Sequence, residues 1–529
     1  MPNPYHIAER RLARLIHDQH EGLLRDGLIG LEKECLRVSP EGRIAQTPHP
    51  KLWGSALTHP YITTDYSEAL AEFITPPLPD TRETLDFLRD VHHFVYGELG
   101  DELLWATSMP CVVAGEASIP IAQYGSSNRG MMKTVYRRGL GHRYGRVMQA
   151  IAGVHFNYSI SDAFWPVFQD MEGDSGPHQD FIAGSYFALI RNLQRLGWLV
   201  PYLFGASPAV CKSFLAGKPT TLESFNDSTY YQPFATSLRL GNIGYRNREE
   251  GETGVKANYD NLDAYVASLA HAITTPCPAY EKFGVEVNGV FEQLNANILQ
   301  IENEYYSTIR PKQIADSFEK PIHALKRRGV RYVELRSVDV NAYEPVGISE
   351  GQMRFLEAFL VFCLLHDSPV IGALEREEID HNQMDVAHRG REPNLRLRRQ
   401  GGTVPLTGWA NEVLTAMSGV CEVLDAATPD RAYSRSLAEQ RDKVRDPSLT
   451  PSARMLAEMR ANGEGFFAFA MRMSQQHRNH FHARPFPEDR RQWFMEQAQE
   501  SLRKQRELEA ADNEPFAAYL ARYFAQEGR

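Results

Sequence analysis

Cysteine is scarce in this sequence, and its placement excludes two common uses of the residue. The six cysteines among 529 residues lie far apart, and none forms a Cys-x-x-Cys pair. That spacing matches neither a zinc ribbon nor the dense disulfide framework of a small secreted domain. The cysteines therefore give no reason to expect a metal–thiolate site.

Long apolar runs are also absent. The longest uncharged apolar stretch, residues 196–211, has about 16 residues and is interrupted by Pro201 and Pro208. Residues 1–27 look like an amphipathic helix broken by charges, without the uninterrupted apolar core of a signal peptide. We therefore expect a cytoplasmic protein that does not associate with membranes.

The chain has neither an excess of positive charge nor a common phosphate-binding loop. Its formal net charge is −10, whereas a nucleic-acid surface needs clustered basic residues. No Gly-x-x-x-x-Gly-Lys-Ser/Thr segment occurs, so a nucleotide would have to be bound without a P-loop. Nucleic acid is therefore not an expected partner.

Two glutamates alternate with other residues near the N-terminus. In residues 30–38 (GLEKECLRV), Glu32 and Glu34 would share one face of a strand, because successive side chains point to opposite faces. Carboxylates this close repel each other unless one is protonated or a cation lies between them. Mg²⁺ prefers oxygen ligands and often bridges carboxylates to substrate phosphates. The pair predicts a metal-binding strand, although a solvated Glu-x-Glu strand would look the same.

Two later segments show the same kind of pattern. Residues 153–160 alternate strictly, and His155 lies on their polar face. Residues 329–337 are predicted to form a strand that places Glu334 and Arg336 on one face. Both segments thus combine a strongly apolar face with ionisable side chains.

Residues 70–75 (LAEFIT) are predicted to form a short strand that carries Glu72. Ile, Thr and Phe favour strands, and the two prolines that follow cannot continue a ladder. A helix over this region would instead place Asp65, Glu68 and Glu72 on one face, and we favour the strand.

The four predicted strands together indicate a functional site more strongly than any one of them does. Each alone fits a half-exposed sheet whose charged face meets water. That interpretation fits less well when four segments place Glu, Asp, His or Arg among strongly apolar neighbours. An acidic cluster interleaved with arginine is typical of metal-assisted phosphoryl chemistry, with metal on the phosphates and guanidinium on a carboxylate or phosphate.

Ten ordered segments of the chain resemble the proteobacterial type of glutamate–cysteine ligase, the family that opens glutathione synthesis. They are residues 30–38 (GLEKECLRV), 54–76 (GSALTHPYITTDYSEALAEFITP), 108–111 (SMPC), 122–128 (AQYGSSN), 133–140 (KTVYRRGL), 153–159 (GVHFNYS), 201–210 (PYLFGASPAV), 235–240 (ATSLRL), 299–311 (LQIENEYYSTIRP) and 332–340 (YVELRSVDV).

The resemblance implies a complete set of site residues. The Mg²⁺ ligands would be Glu32, Glu34, Asp65, Glu72, His155 and Glu334. The groups that act in catalysis would be Glu32, Glu34, Glu334 and Arg336. The residues that bind the glutamate and line the pocket for the incoming cysteine would be Arg239, Arg336, Tyr136, Tyr245 and Tyr306.

The resemblance also implies an α+β fold. A curved, mostly antiparallel sheet would form a half-barrel funnel like that of glutamine synthetase, with helices packed outside. Residues 1–435 would form the catalytic domain, and residues 436–529 a helical C-terminal region packed on it. The enzyme would act as a monomer on ATP, L-glutamate and L-cysteine, with two or three Mg²⁺ ions or with Mn²⁺ in their place.

The expected chemistry follows from the need to activate a carboxylate. Attack of the glutamate γ-carboxylate on the terminal phosphate of ATP gives an acyl phosphate, and clustered cations neutralise the repulsion between the two anions. The cysteine amine must then react as the neutral base while water is kept out. No residue stands out from the sequence as the base that removes its proton.

Three residues depart from the family pattern, and three other functions compete with this one. Tyr66, Cys35 and Tyr305 are expected at the rim of the site, where they would tune the choice of acceptor. The competing functions are a related ligase with another amine acceptor, a metal-dependent phosphohydrolase and a catalytically silent binding protein. The complete acidic set argues against the last of these.

Overall fold

The structure is a computed structural model, and it describes residues 4–244, 256–426, 428 and 430–526. Tyr245, which the resemblance assigns to the acceptor pocket, lies outside the described residues. None of the helices in the described ranges combines the length and apolar character needed to cross a lipid bilayer.

The described residues form strands and helices in alternating groups. The strands are β1 Leu28–Val38, β2 Ile62–Thr64, β3 Leu70–Ile74, β4 Leu103–Leu104, β5 Val154–Ser159, β6 Ala209–Cys211, β7 Glu223–Asn226, β8 Thr229–Tyr231, β9 Glu286–Val287, β10 Val290–Phe291, β11 Ile309–Lys312, β12 Tyr332–Val338, β13 Arg396–Arg399 and β14 Gly402–Pro405. The helices of the first 365 residues are α1 His6–His17, α2 Thr81–Glu98, α3 Asn128–Tyr144, α4 Phe164–Glu172, α5 His178–Leu196, α6 Leu199–Phe204, α7 Lys212–Leu215, α8 Leu262–Thr274, α9 Pro278–Glu281, α10 Pro321–Arg328 and α11 Glu350–Leu365. The remaining helices are α12 Ala373–Arg389, α13 Leu406–Ala416, α14 Ser418–Asp425, α15 Ala432–Arg445, α16 Pro451–Asn462, α17 Phe466–His482, α18 Glu488–Ala511 and α19 Phe516–Phe524.

The largest sheet is open and antiparallel. Its strands follow the order β11-β12-β5-β1-β3-β2, and β4 pairs with the end of β1. Each pairing along this order is antiparallel. The expected α+β fold with a mostly antiparallel sheet is thereby confirmed, and the strands do not close into a barrel.

One face of this sheet is apolar and covered by helices. Leu31 of β1, Phe73 of β3, Phe156 of β5 and Leu335 of β12 are fully buried on that face. Helix α2 contacts β1, α11 contacts β5, and α5 and α6 contact β12. Because side chains alternate along a strand, burying this face leaves the ionisable residues of the same strands on the opposite one.

The strand ends follow from local chemistry. β3 stops at Ile74, directly before Thr75 and two prolines, as the sequence predicts. β11 contains Pro311 in its interior, and it lies at the edge of the sheet. An edge position tolerates proline because one side of the strand needs no ladder hydrogen bonds.

One disulfide joins two parts of the chain that are distant in sequence. Cys111 and Cys211 are bonded, with their Cα atoms 5.5 Å apart and a sequence separation of 100. The spacing of the cysteines gave no indication of this pair. The other four cysteines are buried and not bonded to one another.

Candidate active site

The register of the central sheet brings the predicted ionisable residues onto one face. Glu34 of β1 lies opposite Glu72 of β3, and Glu32 of β1 lies opposite His155 of β5. Glu334 of β12 continues the row on the far side of β5. Antiparallel neighbours in register hold their Cβ atoms about 5 Å apart, so these side chains are forced together.

His155 lies among three carboxylates. Its Nδ1 atom is 3.2 Å from Glu32 and 3.6 Å from Glu334, while its Nε2 atom is 3.4 Å from Glu34. Only 3% of the histidine is exposed, so these contacts take place away from bulk water. The ring therefore links carboxylates from two different strands of the sheet.

The donor set of Glu32, Glu72 and His155 suits a divalent cation. Each residue offers one ligand atom, and these atoms all lie within 4.8 Å of one another. Burial, together with the charges of Glu32, Asp65 and Glu34, raises the pKa of Glu72 well above its ordinary value. Burial likewise raises the pKa of Glu34, although His155 acts in the opposite direction. A cation among these carboxylates would relieve their mutual repulsion.

Basic residues hold the other end of the acidic row in its ionised form. Glu334 accepts a hydrogen bond from Arg336 at 2.9 Å and lies 3.3 Å from Lys312 Nζ. Burial opposes ionisation here, but Lys312, Arg336 and His155 hold the pKa of Glu334 well below its ordinary value. The acidic residues of the sheet face are thus followed by basic residues on the two neighbouring strands β12 and β11.

Arg239 approaches the same face from a short 3₁₀ turn at residues 238–240. It donates a hydrogen bond to the backbone oxygen of Arg336 at 2.9 Å, and Asp339 lies 3.6 Å away. An added Cβ at Gly153 would collide with the guanidinium, so the absence of a side chain there makes room for it. The Nε and Nη1 atoms of Arg239 are buried without a hydrogen-bond partner among the described residues. These nitrogens are suited to donate hydrogen bonds to an anionic ligand.

Helix α3 forms the opposite wall of a cavity of about 310 Å³. Ser127 caps the helix by accepting a hydrogen bond from the Gly130 backbone amide. The residues of α3 that line the cavity recur at intervals of three and four, as expected for one helix face: they are Lys133, Tyr136, Arg137, Leu140 and Tyr144.

The cavity gathers most of the residues that the sequence identified. Those that line it are Glu32, Asp65, Glu72, Tyr136, His155, Tyr306, Glu334 and Arg336. Glu34 and Arg239 adjoin it through their contacts with His155 and with the Arg336 backbone. Carboxylates from β1, β3 and β12, together with Asp65 directly after β2, therefore converge beside His155 of β5 as expected, whereas Tyr245 lies outside the described residues.

The three departures from the family pattern do not share one location. Tyr66 lines the cavity. Cys35 was expected at the rim, but this prediction is wrong because its side chain alternates with Glu34 and is buried on the apolar face. Tyr305 is buried in the main hydrophobic core and does not belong to the residues that line the cavity.

Several basic residues of the site were not singled out from the sequence. Lys133 and Arg137 lie on α3, and Arg310 and Lys312 alternate along β11 with their side chains toward the cavity. The signal for β11 was present as Arg-Pro-Lys, but the proline obscured the strand. Lys133 could have been found from its three- and four-residue spacings to Tyr136 and Arg137.

Comparison with known families identifies this arrangement. A sequence profile described as Glutamate-cysteine ligase matches residues 12–386 of the chain. The chain belongs to the glutamate–cysteine ligase family. The predicted resemblance is thereby confirmed, and the matched range contains the described part of the site on β1, β3, β5, β11, β12 and α3.

Close relatives support membership of the glutamate–cysteine ligase family over nearly the full length. The glutamate–cysteine ligase of Alcanivorax borkumensis is 49% identical over 521 residues, which are 98% of this chain and 99% of the relative. That of Pseudomonas putida is 48% identical over 503 residues, or 95% of each chain.

Solved structures show the same fold. The crystal structure of the Francisella tularensis glutamate–cysteine ligase in complex with AMP has a TM-score of 0.88 and 35% identity, and it covers 94% of this chain and 97% of that one. A bifunctional glutathione synthetase from Pasteurella multocida has a TM-score of 0.71 and 26% identity, with 88% of this chain and 54% of that chain covered.

Proposed function

We propose that the protein joins the γ-carboxyl group of L-glutamate to the amine of L-cysteine at the expense of ATP. The products are γ-glutamylcysteine, ADP and phosphate, which makes this the first step of glutathione biosynthesis. The proposal is supported above all by the single polar sheet face on which four strands place carboxylates, a histidine and an arginine, in a member of the glutamate–cysteine ligase family.

Divalent metal is part of this proposal. Glu32, Glu34, Asp65, Glu72, His155 and Glu334 would hold two or three Mg²⁺ ions, or Mn²⁺ in their place. The donor set fits, because its oxygens dominate and because burial, together with the charges of the neighbouring carboxylates, raises the pKa of Glu72. When bound, the ions neutralise the terminal phosphate of ATP as the γ-carboxylate approaches it.

The arginines would bind the anionic groups of the substrates. Arg336 lies beside Glu334, and its Nε atom is buried without a hydrogen-bond partner among the described residues. Arg239 has two such nitrogens a short distance away. Planar guanidinium groups bind carboxylates and phosphates through paired hydrogen bonds, which fixes the orientation of glutamate as well as its position.

The walls of the cavity would protect the activated glutamate from water. Tyr136 of α3 and Tyr306 line the cavity, and they are the described members of the proposed acceptor pocket. An acyl phosphate hydrolyses when water reaches it, so an acceptor that fills the space between these rings also excludes the competing reaction.

Several broader features remain part of the proposal. The curved sheet would form the half-barrel funnel of a glutamine-synthetase-like fold, with residues 1–435 as the catalytic domain and residues 436–529 as a helical region packed on it. Use of ATP and free amino acids supports action in the cytoplasm. The protein would act as a monomer, which sedimentation of the purified chain would test.

Product formation with single omissions tests the proposed function. With ATP and Mg²⁺, we expect ADP and γ-glutamylcysteine to form only when glutamate and cysteine are both present. We expect EDTA to abolish the reaction and added Mg²⁺ or Mn²⁺ to restore it. Mass spectrometry of the product and an ADP assay measure both quantities.

Two results would contradict this function. Release of phosphate from ATP or phosphate esters without either amino acid would indicate a phosphohydrolase. Faster ADP formation with 2-aminobutyrate or another amine than with cysteine would indicate a related ligase with a different acceptor.

A further inference from the structure

Lys133 occupies an unusual position in the active-site cavity. It lies on the inner face of α3, one helical turn before Tyr136, and its Nζ atom is 5.0 Å from the centre of the Tyr124 ring. Within the described residues, it forms no hydrogen bond or ion pair through its side chain. Its ammonium group is therefore held at the cavity wall by packing and a cation–π contact alone.

The other basic groups of the cavity are already engaged. Lys312 and Arg336 pair with Glu334. Arg137 donates to the backbone oxygens of Asp65 and Lys133, and Arg310 donates to those of Asn303 and Tyr305. Among the described Lys and Arg residues that line the cavity, Lys133 alone lacks such a partner. It is thus the basic side chain most available to a substrate.

The acidic groups and the histidine are unsuited to accept a proton from an amine. Both ring nitrogens of His155 are directed at carboxylates. The carboxylates of the proposed cation site would be kept ionised and weakly basic by bound metal. Glu304, the other described carboxylate that lines the cavity, is paired with Arg143 at 2.9 Å. The tyrosines are ordinary acids whose buried hydroxyls resist ionisation, as for Tyr136, whose pKa burial raises.

We propose that Lys133 is the general base that removes a proton from the acceptor amine, an inference that rests on the proposed ligase function. The acceptor enters with its amine protonated, and an ammonium group has no lone pair with which to attack. A neutral lysine at the cavity wall, next to the proposed acceptor pocket at Tyr136, supplies the missing function.

The step balances in atoms and electrons. The lone pair of neutral Lys133 Nζ forms a bond to one ammonium proton of the acceptor, whose nitrogen recovers its own lone pair. That nitrogen attacks the γ-carbonyl carbon of γ-glutamyl phosphate, so a C–N bond forms while the C–O bond to phosphate breaks. The phosphate leaves with the electron pair and takes the second proton that the nitrogen releases. Lys133 returns its proton to water when the products leave.

The surroundings of Lys133 support this role. Burial, followed by the charges of Arg137 and Arg129 on its own helix, lowers the pKa of Lys133 to about 8. Glu72 of β3 and Asp65 after β2 face the same group and act in the opposite direction. A lysine with an ordinary pKa near 10.4 would be almost entirely protonated at neutral pH, whereas this one provides a usable fraction of free amine.

Replacing cysteine by hydroxylamine as the acceptor shows whether Lys133 acts as a general base or only binds phosphate. Hydroxylamine is uncharged at neutral pH and needs no deprotonation before it attacks an acyl phosphate. In Lys133→Met we expect kcat with cysteine to fall by about 100-fold or more, while kcat for γ-glutamyl hydroxamate formation changes by less than about 3-fold. In Lys133→Arg the charge remains but the base is lost, so we expect the same result.

Three outcomes of these kinetic measurements would overturn the role of Lys133. One is equal loss with cysteine and hydroxylamine in Lys133→Met, and the second is recovery of cysteine turnover in Lys133→Arg. The third is a kcat–pH profile with cysteine that is the same in Lys133→Arg and the parent, since loss of this base must remove its ionisation from the profile. Failure of the parent itself to make γ-glutamylcysteine would instead reject the proposed function.

A matched control and a partial reaction complete the experiment. Lys212→Met removes a lysine that also lies over a tyrosine ring, Tyr230 at 4.9 Å, but outside the cavity, and it should retain full activity with both acceptors. Positional isotope exchange in ATP with glutamate alone should persist in both Lys133 variants. Loss of that exchange would show that Lys133 acts on phosphoryl transfer and would contradict its role as the amine's base.

Discussion

His155 explains how so many carboxylates can approach one another on a single sheet face. It lies within 3.6 Å of Glu32, Glu34 and Glu334, so the ring donates to one carboxylate while it separates the others. Burial opposes ionisation of Glu32, but the hydrogen bond to His155, together with the charges of His155 and Lys312, lowers the pKa of that carboxyl. Glu72 has no such hydrogen-bond partner in the described part of the chain, and burial, together with its acidic neighbours, raises its pKa. This difference in pKa indicates that a cation would relieve the most repulsion beside Glu72.

Arg336→Lys tests substrate binding at the scale of one residue. Lysine keeps the charge but cannot supply a planar, two-pronged contact, so we expect KM for glutamate to rise by roughly ten-fold or more. Steady-state kinetics with varied glutamate measure this effect, and KM for ATP serves as an internal comparison.

The control for this substitution lies next to the same strand. Arg331→Lys alters an arginine that pairs with Asp162 at the surface, 2.6 Å away, and it should leave both KM values unchanged. An unchanged glutamate KM in Arg336→Lys would remove Arg336 from the binding of glutamate.

The sequence predicted residues whose spacing matches a strand and missed those that depend on the third dimension. Glu32, Glu34, His155 and Glu334 were visible because period-two alternation determines their common face. Lys133 was not visible, because its importance depends on α3 lying across the cavity from the sheet. The Cys111–Cys211 bond was hidden for the same reason, since one hundred residues separate its partners.

At the scale of elements, the strands set the position of the site and the helices set its environment. β1, β5 and β12 were predicted from the alternation of their side chains, β3 from the strand preference of Ile, Thr and Phe, and all four are present. β11 was not predicted, because Pro311 is unusual in a strand, and its edge position is a property of the whole sheet. Helix α11 is buried on nearly all sides, and it carries Glu357 inside the helical layer.

Glu357→Gln tests the energetics of this helical layer. Burial raises the pKa of Glu357 to about 7, although the hydrogen bond from Tyr433 at 2.6 Å acts in the opposite direction. At pH values between the ordinary pKa of a glutamate and about 7, Glu357 keeps its proton in the folded protein, whereas the unfolded chain has released it. The free energy of unfolding therefore falls as pH rises through this window.

The expected magnitude follows from the size of the pKa shift. Relative to Glu357→Gln, the parent should lose up to about 3 kcal/mol of stability between pH 4 and pH 8, at about 1.4 kcal/mol per pKa unit. Denaturant unfolding at several pH values measures the difference. Glu422→Gln, which changes an exposed carboxylate on neighbouring α14, is the control. A parent and Glu357→Gln whose stabilities change in parallel with pH would contradict the account.

At the scale of the whole molecule, the C-terminal segments help to position the wall of the site. The Ser126 amide donates to Glu509 at 3.0 Å, and the side chain of Asn128 donates to the Glu514 backbone oxygen at 3.0 Å. Asp512 accepts a hydrogen bond from the amide of Asn128, where a negative charge favours the start of α3. Segments almost 400 residues apart in sequence thus orient the helix that carries Lys133 and Tyr136.

The central claim is that carboxylates from three strands, with Asp65 and with His155 of a fourth strand, bind divalent metal at the terminal phosphate of ATP. Crystals grown with Mn²⁺, a non-hydrolysable ATP analogue and glutamate test it most directly through anomalous scattering of manganese. We expect manganese peaks in contact with Glu32, Glu72 and His155 and with the terminal phosphate of the analogue. A nucleotide bound elsewhere, or manganese absent from this cluster while the analogue is bound, would contradict the claim.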